Sequence, residues 1–145
     1  MADIRYVVND PKTGKSYSKS LEDTTAVTGR KLGETLPGSF LGLTGYELKI
    51  TGGSDNAGFP MRQDLDMTVR KKLLLKKGDV GLRKADRGIL FRKTVSGNTV
   101  SAITAQLNMR VTKHGSKSIE ELWNIQKEEK KEEQPAAAAP APEKK

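Results

Sequence analysis

The sequence predicts a mainly β fold: a small barrel-like domain of short strands, then a C-terminal α-helix and a disordered tail. Three observations lead there. Short runs of β-branched and aromatic residues alternate with polar ones, and Gly- and Pro-containing turns separate these runs repeatedly. Only one segment carries a helix start signal, and it lies near the C-terminus, just before a Pro/Ala run. Many short strands with Gly-rich turns suit a barrel or sandwich.

Ile4-Arg5-Tyr6-Val7-Val8 is a strand that stops at the turn-rich Asn9-Asp10-Pro11-Lys12-Thr13-Gly14. Tyr17, Lys19 and Leu21 share one side of a second strand, making a hairpin. Glycines and a proline break residues 22–45, where one short helix is expected over 24–31. Tyr46, Leu48 and Ile50 alternate with Glu47 and Lys49, the pattern of a half-buried strand. Residues 69–77 read as a strand flanked by bases and ended by Gly78. Residues 89–95 and 107–111 add two more, with Leu107, Met109 and Val111 on one side. Ser118-Ile119-Glu120-Glu121 matches a capping box, and Ile119, Leu122, Trp123 and Gln126 then share a face. The organisation expected is a β-barrel-like domain over 1–117, a short helix over 118–127 and a low-complexity tail over 128–145.

Of 145 residues, 34% are hydrophobic and 5% aromatic, enough for one small core but not for a deep apolar cleft. The absence of cysteine removes disulfides, thiolate nucleophiles and Cys-ligated zinc, and fits a reducing compartment. No apolar run approaches the ~20 residues of a membrane-spanning helix, and the N-terminus lacks the features of a signal peptide. A soluble, cytoplasmic protein is expected, with no membrane partner.

Charge is the most informative feature. Residues 1–59 are net neutral, residues 60–118 carry fourteen basic against four acidic side chains, and residues 119–145 are net −2. A middle segment at +10 focuses a field of the kind proteins aim at a phosphate backbone. Eleven cations fall within 32 residues: Arg62, Arg70, Lys71, Lys72, Lys76, Lys77, Arg83, Lys84, Arg87, Arg92 and Lys93. If they share a face they can neutralise phosphates on neighbouring RNA strands, with arginines adding bidentate contacts. A solvated basic face is the plainer alternative.

Catalytic motifs are missing. Gly14-Lys15-Ser16 resembles the end of a phosphate-binding loop, but Asn9 stands where that motif needs glycine, and the following residues alternate like a strand. His114 is the only histidine and is expected to be exposed. No acid pair stands out, so no enzyme, metal, cofactor or small-molecule substrate is expected.

One segment is specific: Ile50-Thr51-Gly52-Gly53-Ser54-Asp55-Asn56-Ala57-Gly58-Phe59-Pro60-Met61. It closely resembles the hallmark of the S-six-e family of small-subunit ribosomal proteins, found in archaea and eukaryotes. That hallmark runs aliphatic, small, Gly-Gly, any, Asp, two of any, Gly, any, Pro-Met. Gly52, Gly53, Asp55, Gly58, Pro60 and Met61 fill its invariant positions, and Ile50 and Thr51 fill the aliphatic and small ones. Residues 10–17, 42–49 and 92–99 are also similar to family blocks, so the resemblance covers roughly 3–115. It is to the archaeal type, because the long basic helix with phosphorylated serines of eukaryotic members has no counterpart here. Asp79 and Asp86 interrupt a basic segment that is usually denser in the family.

The resemblance implies a structural constituent of the small ribosomal subunit, contacting small-subunit rRNA and neighbouring ribosomal proteins. A free-standing translation or RNA-chaperone module would show the same charge split, but not the complete hallmark. A small enzyme acting on phosphorylated substrates would need acids or a base beside the cations. Asp55 would repel a phosphate, so a structural role is expected for it. Two readings of the loop's glycines stay open: they admit RNA to the backbone, or they shape a tight turn held by Asp55, with Phe59 and Met61 in the core. Tyr6, Tyr17, Phe40, Tyr46, Phe59 and Phe91 are expected in the core, leaving phosphate and shape readout for RNA.

Overall fold

The computed structural model of the chain describes residues 3–82, 84, 86 and 88–123. Arg83, Arg87, Gln126 and the 128–145 tail lie outside the described residues. Among the described residues seven strands form, in order β1 (Ile4–Asn9), β2 (Ser16–Leu21), β3 (Thr35–Pro37), β4 (Glu47–Asp55), β5 (Lys71–Leu75), β6 (Phe91–Val95) and β7 (Thr104–Lys113). Five make one sheet in the order β2-β1-β7-β4-β3, and β5 and β6 make a separate two-stranded ribbon.

The large sheet brings the chain's first strand beside its last. β1 runs parallel to β7 and antiparallel to β2, while β4 runs antiparallel to both β7 and β3. Alternation drives this pairing. Ile4, Tyr6 and Val8 point to the same side as Leu107, Met109 and Val111, and Leu48 and Ile50 join them from β4. Connecting segments cap this apolar face with Val27, Leu32, Leu41, Leu43 and Val100. Each such side chain contributes about 1.5–3 kcal/mol through burial.

The sheet does not close into a barrel. Its edges explain why. β3 is three residues long and ends on Pro37, which has no N–H to offer a further strand. The other edge, β2, places Ser16, Ser18 and Ser20 outward and exposed.

In place of the helix expected over 24–31, residues 25–29 form consecutive turns and Lys31 bridges to Thr99. Gly29 is left-handed at φ 82° and donates its N–H to the Val100 carbonyl, across the fold and away from any helical ladder. Thr28 also bonds the Thr24 carbonyl through its hydroxyl, at 2.8 Å. A short 3₁₀ turn over Gly38–Leu41 was not anticipated.

The C-terminal helix begins at residue 119 and is described through 123. Its capping box is reciprocal: the Glu121 N–H donates to Ser118 Oγ and the Ser118 N–H to Glu121 Oε2, both at 3.3 Å. Ile119 enters the main core, and Leu122 and Trp123 pack against it. Glu120 fastens the helix to β2, accepting from Lys15 Nζ at 2.6 Å and the Tyr17 hydroxyl at 2.9 Å. Those two bonds hold the Glu120 carboxyl below the usual carboxylate range. His114 is not exposed as expected: it lies edge-on to Tyr46 with centroids 5.9 Å apart, and 3.7 Å from Asp10.

Candidate nucleic-acid interface

The hallmark loop is a hairpin held by one buried carboxylate. β4 ends at Asp55, whose Oδ1 accepts the N–H groups of Ala57 and Phe59, both at 2.9 Å. Gly58 turns the chain at φ 81°, a torsion that favours glycine, and the returning strand pairs Met61 N–H with the Gly53 carbonyl at 3.0 Å. Arg70 Nε donates to Asp55 Oδ2, and Arg70 also bonds Asn56 Oδ1 at 2.6 Å while lying over the Phe59 ring. Asp55 is therefore a structural residue, saturated within the chain.

The three hallmark glycines separate by geometry. A Cβ on Gly53 would sit 2.5 Å from the Gln106 carbonyl oxygen and 2.9 Å from Met61 Sδ, so the chain's own packing demands glycine there. Gly58 is demanded by torsion. Gly52 is demanded by neither, since a Cβ on it would meet nothing within 4 Å and its φ is not left-handed. Met61 is buried in the main core, whereas Phe59 is only half-buried beneath Arg70.

The nine of these cations that are described do not form a single face. Arg62 is 15% exposed and paired with Asp64, whose carboxyl it holds below the usual range. Arg70 is committed to the hairpin. Lys71, Lys72, Arg92 and Lys93 lie on the ribbon, Lys76 and Lys77 on the turn that follows β5, and Lys84 beyond it. All seven are exposed, and none makes an ion pair among the described residues. Register splits the ribbon: Lys72 and Arg92 share one face with Leu74 and Thr94, while Lys71 and Lys93 share the other with Leu73, Leu75, Phe91 and Val95. A small second core of Leu75, Leu82 and Val95 supports that other face. Of the four acids in this stretch, Asp64 and Asp66 are consumed by Arg62 and Lys31.

The same unit holds the large exposed apolar residues: Val69, Leu74, Val80, Ile89, Leu90 and Phe91. Phe91, expected in the core, is 39% exposed. It pairs with Leu75 at the start of β6, but a second core of three buried residues is too small to cover its ring. Among the described residues, no cluster of His, Cys and acids has metal-ligand spacing, and no helix is long and apolar enough to cross a membrane.

A family model described as ribosomal protein S6e matches residues 4–124. The chain belongs to the ribosomal protein S6e family. It is 45% identical over 130 residues to the small ribosomal subunit protein eS6 of Archaeoglobus fulgidus, covering 88% of this chain and 99% of that protein. It is 43% identical over 121 residues to eS6 of Nanoarchaeum equitans, covering 83% and 90%, and 41% identical over 133 residues to that of Methanocaldococcus jannaschii, covering 92% and 100%. The family is one of structural ribosomal proteins and not of enzymes.

Three further cations escaped the sequence reading. Arg5, Lys49 and Arg110 lie exposed on the outer face of the five-stranded sheet, without an ion pair among the described residues. Two come from the stretch whose charges sum to zero. The usable signal was period two, which sets each opposite the core residues beside it in its strand.

Proposed function

We propose that this structural protein of the small ribosomal subunit binds small-subunit rRNA through its basic ribbon and so supports subunit assembly and translation. The observation that carries this reading is the seven unpaired, exposed cations at Lys71, Lys72, Lys76, Lys77, Lys84, Arg92 and Lys93. Asp79 and Asp86 are too few to offset these like charges, whose crowding destabilises a free protein, and phosphates relieve that repulsion. Arg83 and Arg87 belong to the same basic stretch of sequence and lie outside the described residues. Arg62 and Arg70 position the hairpin and leave phosphate to the others. The apolar residues beside the cations, Leu74, Ile89, Leu90 and Phe91, serve a neighbouring ribosomal protein, because phosphate has no use for them. The protein works in the cytoplasm as part of the ribosome.

The test reverses Lys71, Lys72, Lys76 and Lys77 to Glu and follows subunit incorporation on gradients. Incorporation should be lost while circular dichroism stays native. Incorporation at the wild-type level would move the RNA face off the ribbon.

A further inference from the structure

The outer face of the five-stranded sheet is a grid of three rows. Register puts Ser20, Arg5, Gln106 and Ser54 in the first row, and Ser18, Val7, Asn108 and Gly52 in the second. Ser16, Asn9, Arg110, Lys49 and Thr35 make the third. Residues two apart along a strand are about 6.7 Å apart, so the cations of the outer rows stand roughly 13 Å apart across the middle one. That middle row has no cation and no large side chain. It is a shallow trough of short groups, the polar Ser18 and Asn108 on either side of Val7 and then Gly52, with Arg5 on one bank and Arg110 and Lys49 on the other. Gln106 Nε2 donates to Asn108 Oδ1 at 2.9 Å, which orients both amides. Asp3 beside Arg5 is exposed, and Glu47 at the far end is paired with Lys113 at 2.6 Å.

The geometry points to a second RNA-contacting surface here, one that takes the minor groove of double-stranded RNA. A-form RNA displays a wide, shallow minor groove lined by 2′-hydroxyls and flanked by phosphates, and it is recognised through those groups. Hydroxyls and amides in the trough can donate to and accept from 2′-hydroxyls, while the banks meet phosphates on either side. A single strand would call for stacking aromatics, and none lies on this face. Gly52 completes the fit. It is in the trough, facing Asn108 across a bulge in β4, and neither torsion nor internal packing requires glycine there. The absent side chain leaves room for the sugar edge of an outside partner. This inference rests on the ribosomal reading only for the source of the duplex.

The experiment uses the full chain and an RNA duplex of about 20 base pairs, slightly more than the ~16 that one duplex-reading domain spans. The same sequence as DNA and as a single RNA strand serve for comparison. The wild type should prefer duplex RNA. Combined Arg5→Gln, Lys49→Gln and Arg110→Gln should weaken that binding at least about tenfold and flatten the slope of log affinity against log salt by about 2–3, as three lost phosphate contacts require. Gly52→Leu should abolish the preference for duplex RNA over DNA and leave the salt slope unchanged. Should Gly52→Leu fail to fold, the triple neutralisation still decides.

Wild-type affinity and slope in the triple variant would overturn the inference. So would equal affinity of the wild type for the DNA duplex or the single strand. A triple variant that binds RNA normally but stays out of the subunit would overturn it in favour of a protein contact. Normal RNA binding after reversal of Lys71, Lys72, Lys76 and Lys77, with loss in the triple variant, would instead refute the ribbon and support the sheet.

Discussion

Replacing Gly53 by alanine should destabilise the free protein, and the structure says by how much. The backbone torsion there is open to any residue, so the cost is steric alone. The added methyl would lie 2.5 Å from the Gln106 carbonyl oxygen, and reaching ordinary contact near 3.4 Å needs a shift of about 0.9 Å. Met61 Sδ, at 2.9 Å, belongs to a side chain that can adjust. Gln106 cannot adjust so easily, because β7 is held on both sides, by Arg5 of β1 and Ser54 of β4. Overpacking of this kind costs about 1–3 kcal/mol. At roughly 4 °C per kcal/mol for a domain of this size, Tm should fall by about 4–12 °C. Gly53→Val should cost more. Gly52→Ala is the internal control: with open space at its Cβ it should hold Tm or raise it slightly, through the ~0.4–1 kcal/mol lost from unfolded-chain entropy. Thermal melts of the three purified variants by circular dichroism decide. A Gly53→Ala protein that melts with the wild type would refute the packing argument and return that glycine to an outside partner.

If about six phosphates are neutralised, RNA affinity should drop on the order of a thousandfold between 50 and 200 mM salt, and a salt-independent affinity would contradict the electrostatic reading. Arg70→Ala should lower Tm by the equivalent of about 1–3 kcal/mol, since it strips a partner from the buried Asp55 carboxylate. The same variant should keep the wild-type salt slope, whereas a flattened slope at unchanged Tm would make Arg70 an RNA ligand. Because Lys15 and Tyr17 depress the Glu120 carboxyl, the stabilisation it supplies is complete above its ordinary value of about 4.5 and is lost as pH falls through the depressed one. Emission from Trp123, the chain's one tryptophan, should therefore shift red at acid pH as the helix loosens, and Glu120→Gln should loosen it at neutral pH too. Asp10, also depressed, should leave a smaller acid step in that variant.

How much the sequence disclosed depended on whether a property is local. A sheet with one wet face writes itself as alternation, so β1, β2, β4 and β7 were legible, as was the capping box at Ser118. β3 was not, because three residues with only Leu36 buried cannot display a period. The structural role of Asp55 was legible too, since an Asx turn needs only the residues beside it. The glycines were not separable, because what crowds Gly53 is a carbonyl about fifty positions away and what frees Gly52 is the absence of any neighbour. Counting charge along the chain grouped Arg62 and Arg70 with the ribbon lysines, although Asp64 and Asp55 had already claimed them. The same counting hid Arg5 and Lys49 in a stretch whose charges cancel. Neither arrangement can be read without register, and register here shifts at bulges that no pattern announced.

The hallmark loop gains its meaning from where it stands, between the sheet and the ribbon. Its Met61 belongs to the main core and Gly53 backs onto it, while Pro60 accepts the Ser96 N–H at 2.9 Å, one residue past the end of β6. Arg62 returns a bond to the Ser96 carbonyl, and Asn98 and Thr99 continue the contact to Leu65 and Met67. Gly97 allows this approach, because a Cβ there would lie 1.7 Å from the Met67 carbonyl oxygen. Arg70, gripped by Asp55, is the residue before Lys71 opens β5. Both ends of the ribbon are thus clamped to the hairpin within a few residues of its cations. A rigid joint of this sort fixes one cationic surface relative to another, and simultaneous engagement of two surfaces gains affinity only when their geometry matches the target. Phosphate contact by Asp55 would add nothing to that task and would cost repulsion. On the reading proposed above, Asp55, Gly53, Gly58 and Met61 serve by holding the two surfaces in a fixed relation, as a saturated turn does, and Gly52 alone among the hallmark glycines is left to an outside partner.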